Sequence, residues 1–346
     1  MIRQAMGIPT TEQYAAMLDA AAAEAYAYPA VNVTSSQTLN AAIRGFAEAG
    51  SDGIVEVTTG AGQYLAGASG DAARGARALG AFAHQVADAY PVTIALHTDH
   101  CPPEQVDAFL RPLLAESRAR HERGERPLFN SQMFDGSTLP LEDNLRLSSR
   151  LLDDCAAAGV VLELECGVVG GEEDAVSAAG VPAERLYTTS EDLLRVVEAL
   201  GAGERGRYLL AATFGNVHGV YAPGDVRLRP EILREGQEAL AAARSGARFQ
   251  YVFHGSSGSS DEDIRAAISY GVVKINIDSD AQYALTRAIA DHVLINYSGV
   301  LKVDGGIGEK RAYDPRALGK RAEAAMAAHV AEACELFGCA GRSLTA

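Results

Sequence analysis

The feature that most constrains the fold of this chain is a regular alternation of short apolar runs with longer stretches of helical periodicity. Short apolar runs are typical of buried strands, and strands separated by helices form a parallel sheet. The predicted strands are residues 30–33, 54–57, 92–97, 128–134, 160–165, 208–213, 249–254 and 272–277. Predicted helices between them include residues 39–49, 72–89, 105–123, 141–157, 191–200 and 261–268.

Eight such strand–helix units predict an α/β fold of the (β/α)8 TIM-barrel type. A helix at 11–25 and a helical region at 315–336 are additions before and after the barrel. No linker-like segment or sharp change in composition divides the chain, so we expect residues 1–346 to form a single barrel domain. The alternative is an open doubly wound sheet. It needs a nucleotide-type glycine-rich turn, and TTGAG at 58–62 matches GxGxxG poorly.

Composition excludes several classes of protein. With 48% apolar residues the chain can bury a sizeable core. A net charge of −15 argues against non-specific binding to nucleic acid or to anionic membranes. The 5 cysteines form no CxxC pair, which is typical of a reduced cytoplasmic protein. Acidic residues interrupt segment 11–25, so it does not resemble a signal peptide, and no apolar run approaches the ~20 residues of a membrane span.

Four of the apolar runs lead to residues that can bind a metal ion. In a barrel, the carboxyl ends of all strands surround one pocket, where imidazoles and a carboxylate would make a divalent-metal site. A single histidine at a strand end more often has a structural role than a metal-binding one. Several such residues at the ends of different strands together favour a metal site more strongly than any one of them does. Asp99 and His100 would face opposite ways unless the strand has already turned there. The candidate ligands are His97, Asp99, His100, Glu165, His218 and His254.

Strand parity places further polar side chains inside the predicted barrel. Glu163 and Glu165 share one face of the fifth strand, and Lys274, Asn276 and Asp278 share one face of the last. Two carboxylates on an inner face are costly to bury unless a cation or hydrogen bonds compensate. A barrel interior with only a structural role would rarely contain these rows of charged and amide side chains.

Three loops have compositions that favour ligand binding. Glycine-rich loops at 214–219 and 254–259 follow the sixth and seventh predicted strands. Their backbone N–H groups could approach a phosphate closely, although an ordinary flexible loop is the alternative. Segment 167–174 reads GVVGGEED and could be a mobile lid that brings a carboxylate over the substrate. An acidic, exposed turn is the alternative there.

Five motifs together resemble the class II fructose-1,6-bisphosphate aldolases. They occur in the family's order, and the resemblance extends from about Asn32 to Arg316, which is nearly the whole chain. The motifs are HTDHC at 97–101, LELE at 162–165 with GGEED at 170–174, FGNVHGVY at 214–221, NID at 276–278 and YDPR at 313–316.

The resemblance implies a zinc-dependent lyase. Such an enzyme reversibly cleaves fructose 1,6-bisphosphate to dihydroxyacetone phosphate and glyceraldehyde 3-phosphate through an enediolate. Carried over by motif, Asp99 would be the acid/base at the C4 hydroxyl, and Glu173 would move the proton at the dihydroxyacetone carbon. Asn276 would bind the enediolate. The implied Zn²⁺ ligands are His100, Glu165, His218 and His254, so the resemblance removes His97 from the candidates.

The resemblance also implies two phosphate sites and an oligomer. Arg316 would reach the second phosphate, from a neighbouring subunit if the protein is a dimeric or tetrameric homo-oligomer. Asn32 and Thr58 align with positions that contact the substrate. A monovalent cation, K⁺ or Na⁺, is expected near the loops of the first phosphate. Residues implied to hold that phosphate are Gly219, Gly255, Ser257, Asp278 and Ser279.

Two residues depart from the family's pattern. Gln132 stands where the family commonly has histidine, and Ser256 stands where a second glycine is usual. If position 256 required a positive φ, serine would strain the loop by about 1 kcal/mol.

Four other functions remain to be compared with this one. An aldolase for tagatose 1,6-bisphosphate or another ketose bisphosphate is the nearest. A Schiff-base aldolase would have to use Lys274, the only lysine on a predicted strand. A metal-dependent hydrolase usually has HxH on its first barrel strand, where residues 31–33 read VNV. A non-catalytic binding protein would leave the acid, base and ligand residues unexplained.

Overall fold

The computed structural model describes residues 7–167, 170–173, 176–177, 186–218, 227–301, 306 and 308–344, and only the backbone of 170–173, 176–177 and 217–218. The strands are β1 (Tyr28–Asn32), β2 (Gly53–Thr58), β3 (Ile94–Asp99), β4 (Ser131–Phe134), β5 (Val161–Cys166), β6 (Gly170–Glu173), β7 (Val176–Ser177), β8 (Tyr208–Ala212), β9 (Val217–His218), β10 (Tyr251–Phe253) and β11 (Val272–Ile277).

Helices alternate with these strands. They are α1 (Thr11–Glu24), α2 (Ser36–Ala49), α3 (Thr59–Leu65), α4 (Ala72–Val86), α5 (Arg111–Glu122), α6 (Leu141–Ala157), α7 (Ser190–Leu200), α8 (Glu231–Ala243), α9 (Asp261–Ser269), α10 (Ser279–Ile295), α11 (Tyr297–Val300), α12 (Lys310–Tyr313) and α13 (Pro315–Leu336). None of them, within the described residues, is long and apolar enough to cross a bilayer.

Eight parallel strands close into a barrel, as the sequence predicts. Their order around the barrel is β1, β2, β3, β4, β5, β8, β10 and β11, so neighbours in space follow one another along the chain. Pairing of β11 with β1, with Tyr28 opposite Lys274, completes the closure. An open doubly wound sheet is therefore excluded.

A second, smaller sheet, which the sequence does not predict, combines β6 and β7 from the connection after β5 with β9, which follows β8. Strand β6 pairs in parallel with β9, with Gly171 opposite His218, and antiparallel with β7. The segment interpreted as a lid thus has part of its backbone fixed beside His218. This pairing joins residues far apart in the sequence, which local composition does not reveal.

Local sequence signals explain where many helices begin. Thr10 and Gln13 form a reciprocal capping box at the start of α1, and Ser35 with Thr38 does the same at α2. Residues 105–123 were predicted as one helix. Instead a π-helical turn at Val106–Leu110 precedes α5, because Pro112 has no N–H to donate to the preceding turn. None of the predicted helices covers α3, α8 or α10.

The predicted terminal additions are present, and each packs on the barrel. Tyr14 of α1 is fully buried, and its hydroxyl lies 3.1 Å from Ser131 Oγ. Helix α13 runs along α2 and α10. The apolar core lies mainly between the strands and the surrounding helices, where Leu162 and Leu164 are fully buried. The barrel interior is polar, and it positions the residues described next.

Candidate active site

The turn after β3 brings two adjacent side chains into one pocket. β3 ends at Asp99, and His100 has a φ of 34°, in the left-handed region that residues other than glycine rarely occupy. His100 Nε2 consequently lies 4.0 Å from Asp99 Oδ1 instead of on the opposite face. The strand has already turned at His100, which is the condition that the sequence set for both residues to act together.

Three of the implied zinc ligands meet at the carboxyl end of the barrel. Glu165 Oε2 lies 3.6 Å from His254 Nδ1 and 3.8 Å from His100 Nδ1. The two imidazole rings are tilted, with centroids 4.8 Å apart. One potential ligand atom each from Asp99, His100 and His254 also lies within 4.8 Å of the others. The strand ends therefore gather imidazole and carboxylate groups as predicted.

Carboxylates orient both imidazoles. Glu163 Oε1 lies 2.9 Å from His254 Nε2, which leaves Nδ1 on the side of Glu165. Asp135 Oδ2 lies 3.1 Å from His100 Nδ1, which leaves Nε2 on the side of Asp99. Hydrogen bonds of this kind fix the tautomer and ring orientation of metal-binding histidines. Burial opposes charge on His254, but its contacts with Glu163 and Glu165 raise its pKa to about 10.

The donor set fits a divalent metal ion. Glu165 is buried, and its Oε1 atom accepts no hydrogen bond from any residue in the described part of the chain. An uncompensated buried carboxylate oxygen is costly, and a cation between it and the two imidazoles would remove that cost. Imidazole nitrogen and carboxylate oxygen are suitable ligands for zinc. The family implied by the sequence is metal-dependent, which agrees with this arrangement.

His97, one of the original candidates, lies deeper in the barrel than this group. Its Nδ1 atom is 2.8 Å from Ser131 Oγ, and its Nε2 atom is 3.6 Å from Glu163 Oε2. Burial and the nearby charge of Lys274 lower the pKa of His97 to about 3, so the ring is neutral. Glu56, His97 and Asp99 are close enough to share a metal ion. The Lys274 ammonium 3.1 Å from Glu56 Oε2 would repel a cation there.

Lys274 is the centre of a buried ionic network in the barrel. Its Nζ atom lies 3.1 Å from both Glu56 Oε2 and Glu163 Oε2, and it donates to Asn276 Oδ1 at 2.6 Å. Burial alone would lower the lysine pKa, but Glu163 and Glu56 raise it. These contacts confirm that Lys274 and Asn276 share the inner face of β11, as parity predicted.

Asp99 accepts hydrogen bonds from two side-chain amides. Asn32 Nδ2 donates to Oδ2 at 3.0 Å, and Asn276 Nδ2 donates to Oδ1 at 3.1 Å. Burial would raise the Asp99 pKa, but the positive charges of His100 and Lys274 lower it well below its usual value. The carboxylate is therefore ionised and held by donors on both oxygens.

The loops after β10 and β11 meet at the same end of the barrel. Gly255 has a φ of 63°, and Ser257 Oγ donates to Asp280 Oδ2 at 2.9 Å. Asp278 precedes α10, and Ser279 is its first residue. Loops after the last two strands of a barrel commonly form a phosphate site, so the predicted residues 255, 257, 278 and 279 are suitably placed.

Ser256 is not strained, which corrects a concern raised by the sequence. Ala25 and His100 are the non-glycine residues with positive φ in the described part of the chain. Ser256 Oγ instead donates to the backbone oxygen of Asn276 at 3.1 Å and joins the loop after β10 to strand β11. A serine at this position therefore adds a contact that glycine could not make.

Three other residues considered in the sequence analysis remain, of which Thr58 lies opposite Asp99 on the neighbouring strand. Thr58 caps α3 by accepting a hydrogen bond from Ala61 N at 3.0 Å. Arg316 is 81% exposed and pairs with Asp314. Gln132 is fully buried, pairs in register with Leu162 and lies in the outward-facing row of β4, so its departure from histidine does not touch the ligand group.

Some predicted residues fall outside the described part of the structure. These are Gly219 and the side chains of Glu173 and His218. The sequence analysis, in turn, missed Glu56 and Asp135. A signal existed for each, because Glu56 is an acidic residue within an apolar strand and Asp135 directly follows another strand.

Comparisons of the sequence and of the fold with known proteins all identify the same family. A family model described as "Fructose-bisphosphate aldolase class-II" matches residues 12–342. The chain is 57% identical over 342 residues to the fructose-bisphosphate aldolase of Streptomyces galbus, covering 98% of this chain and 100% of that protein. It is 54% identical over 346 residues to the fructose-bisphosphate aldolase of Mycobacterium leprae, covering 99% of this chain and 100% of that protein. A crystal structure of fructose-bisphosphate aldolase from Campylobacter jejuni matches this fold with a TM-score of 0.85 and 32% sequence identity. The match covers 98% of this chain and 97% of that one.

Proposed function

Because this chain belongs to the class II fructose-bisphosphate aldolase family, we propose that it cleaves fructose 1,6-bisphosphate reversibly to dihydroxyacetone phosphate and glyceraldehyde 3-phosphate. The observation that carries the mechanism is the group formed by Glu165, His254 and His100 beside the ionised Asp99. One domain comprising residues 1–346 would contain the whole site. Five free, buried cysteines are in keeping with a cytoplasmic enzyme of glycolysis or gluconeogenesis.

Zinc is the proposed catalytic metal, held by His100, Glu165, His218 and His254. The donor chemistry of the three described side chains and the unsatisfied Oε1 of Glu165 support this assignment. When bound, the ion supplies positive charge that stabilises the two enediolate oxygens left by cleavage, as a Lewis acid does.

Asp99 is the proposed acid/base at the C4 hydroxyl. In cleavage its ionised carboxylate accepts the hydroxyl proton as the C3–C4 bond breaks, which leaves glyceraldehyde 3-phosphate and the enediolate. Asn276, which donates to Asp99, would also bind the enediolate. Glu173 would then deliver a proton to C3 and complete dihydroxyacetone phosphate. Closure of the segment containing Glu173 would exclude water from the carbanion.

The two phosphates would occupy opposite parts of the pocket. Arg316 would bind one of them, with Asn32 and Thr58 contacting the substrate. A K⁺ or Na⁺ ion near the loop carbonyls would complete the other site. Meeting of the loops after β10 and β11 supports this site, whose proposed residues are Gly219, Gly255, Ser257, Asp278 and Ser279.

A homo-oligomer, either a dimer or a tetramer, is also proposed. Arg316 is 81% exposed and pairs with Asp314 of its own chain, so it is available to a second copy. Apolar side chains along the end of α10 support an interface there, since Leu294 is 71% and Ile295 77% exposed. Sedimentation velocity will give the mass of the assembly, and a monomer at assay concentration would contradict the proposal.

The environment of Lys274 argues against a Schiff-base mechanism. A lysine nucleophile must lose its proton, whereas this ammonium is fully buried between Glu56 and Glu163, whose charges favour the protonated form. A hydrolase is disfavoured because the first strand carries Asn32 and no histidine pair.

Metal analysis combined with cleavage assays tests the proposed function. We expect exhaustive chelation to abolish cleavage of fructose 1,6-bisphosphate, zinc to restore it, and borohydride added with substrate to have no effect. Full activity in metal-free protein would overturn the mechanism. Cleavage rates with tagatose 1,6-bisphosphate, which differs from the fructose compound at one stereocentre, test which sugar the enzyme prefers. A higher kcat/KM for that sugar would identify the chain as a tagatose-bisphosphate aldolase instead.

A further inference from the structure

Lys274 lies on the inner face of β11 and contacts groups on which the proposed chemistry depends. Its side chain is fully buried. An ammonium group has three N–H donors and no acceptor, and here three side chains surround it: Glu56, Glu163 and Asn276. The ammonium donates to Glu163 Oε1 at 3.2 Å and to Asn276 Oδ1 at 2.6 Å, and it forms an ion pair with Glu56 Oε2 at 3.1 Å.

The contact with Asn276 determines which way that amide points. Because Nζ can only donate, the atom of Asn276 that lies 2.6 Å away must be the amide oxygen. The amide nitrogen then faces Asp99, to which it donates at 3.1 Å. If the amide were reversed, its nitrogen would face the ammonium and its oxygen would face a carboxylate, and both contacts would be repulsive.

The same ammonium holds the carboxylate that orients a proposed metal ligand. Lys274 Nζ lies 3.1 Å from Glu163 Oε2, and Glu163 Oε1 lies 2.9 Å from His254 Nε2. Neutralisation by lysine keeps Glu163 an acceptor, so His254 Nε2 is the donor and Nδ1 faces the other ligands. Lys274 thus has contacts that lead to both Asp99 and His254.

We propose that Lys274 is a positioning residue for the aldol cleavage: it fixes the Asn276 amide so that its nitrogen faces Asp99 and the reacting oxygens. The proposal rests on the roles given above to Asp99 and Asn276. Because the amide already has the required orientation before the reaction, no free energy is spent on reorienting it as the enediolate forms. This is the advantage of a preorganised donor. Loss of Lys274 should therefore lower kcat far more than it raises KM.

A double-mutant cycle between Lys274 and Asn276 tests this role. We expect Lys274→Met to lower kcat about 10- to 100-fold, with little change in KM, because misorienting a donor should cost no more than the roughly 10²- to 10³-fold loss caused by removing one. We expect Asn276→Ala to lower kcat at least as much, and the double variant to be no worse than Asn276→Ala alone. All three are assayed at saturating zinc, so that weaker zinc binding through Glu163 and His254 does not contribute to the loss of kcat. Multiplying losses would overturn the proposal, because Lys274 would then act without Asn276.

A second variant keeps the test valid if Lys274→Met fails to fold, since that change leaves two buried carboxylates without their cation. Lys274→Met with Glu56→Gln removes one of these carboxylates and retains Glu163, and Glu56→Gln alone is its control. Crystal structures give a readout independent of activity. We expect the Asn276 amide to turn away from Asp99 when Lys274 is absent, and an unmoved amide would overturn the proposal. If the wild-type protein does not cleave the sugar, the proposed function fails, while the crystal structures still test the positioning.

Discussion

Glu163 and His254 form a fully buried contact of 2.9 Å that links the fifth strand of the barrel to the seventh. Glu163 does not belong to the proposed ligand set, but it determines which nitrogen of His254 the pocket receives. The metal site therefore depends on a carboxylate one layer below it. The charge of Lys274 and the hydrogen bond with His254 offset the effect of burial and lower the Glu163 pKa to about 2, so it is ionised at neutral pH.

Glu163→Gln is expected to weaken zinc binding about 10- to 100-fold, the usual effect of losing a carboxylate partner of a metal-binding histidine. Glutamine has the same shape but no charge to fix the His254 tautomer. Competition with a chelator of known affinity measures the change. The control is Asp153→Asn, which removes a carboxylate from an exposed ion pair with Arg205 and should bind zinc as the wild type does. Equal affinities in all three proteins would show that Glu163 has no such role.

Asp99→Ala should retain zinc and lose most turnover. Removal of a general acid/base typically costs about 10²- to 10⁴-fold in rate, and no other described carboxylate accepts from both Asn32 and Asn276. Steady-state kinetics and metal content, measured on the same preparation, check this. A zinc-free variant would instead identify Asp99 as a ligand.

Ser256→Gly is expected to lower the free energy of unfolding by about 1 kcal/mol, because it removes the hydrogen bond to Asn276 and adds backbone freedom to the unfolded chain. Urea unfolding of the zinc-loaded protein measures the effect. Ser259→Gly in the same loop is the matched control, since it adds the same freedom without removing that bond. A gain in stability at position 256 would mean that serine is strained there after all.

The cysteines should be unreactive in the folded protein. All 5 are buried, and burial raises the pKa of the Cys101 and Cys166 thiols to about 12. At pH 8, well below that value, these thiols are protonated and shielded. Ellman's reagent should therefore react slowly with native protein and titrate 5 thiols in denaturant. Rapid modification of a thiol in the native state would contradict the buried placement.

Much of the site could be predicted because strand parity is a local property. The shared face of Glu163 and Glu165 and that of Lys274 and Asn276 follow from alternation along one strand, and the structure confirms both. The barrel followed in the same way from counting strands and helices. The order of the elements did not by itself exclude an open sheet, and the pairing of β11 with β1 shows the closure.

Other features depend on contacts that no local pattern encodes. Parity alone places His97 on the same face as Asp99 and His100 on the opposite face, and the backbone turn at His100, which brings it to Asp99, is not visible in the strand pattern. Pairing of Gly171 with His218 joins two distant loops. The conformation of Ser256 depends on a bond to Asn276 on another strand. In the last two cases the partner lies at least 20 residues away in the sequence, so composition near the residue could not reveal it.

The left-handed backbone of His100 places a limit on how this protein can be improved. That conformation costs a residue other than glycine about 1 to 2 kcal/mol, and glycine would recover most of it while removing an imidazole from the pocket. Selection for thermal stability alone would therefore favour replacement of the very side chain that the reaction needs. Position 100 is a point of trade-off between stability and activity, and consensus stabilisation of this barrel should leave it unchanged.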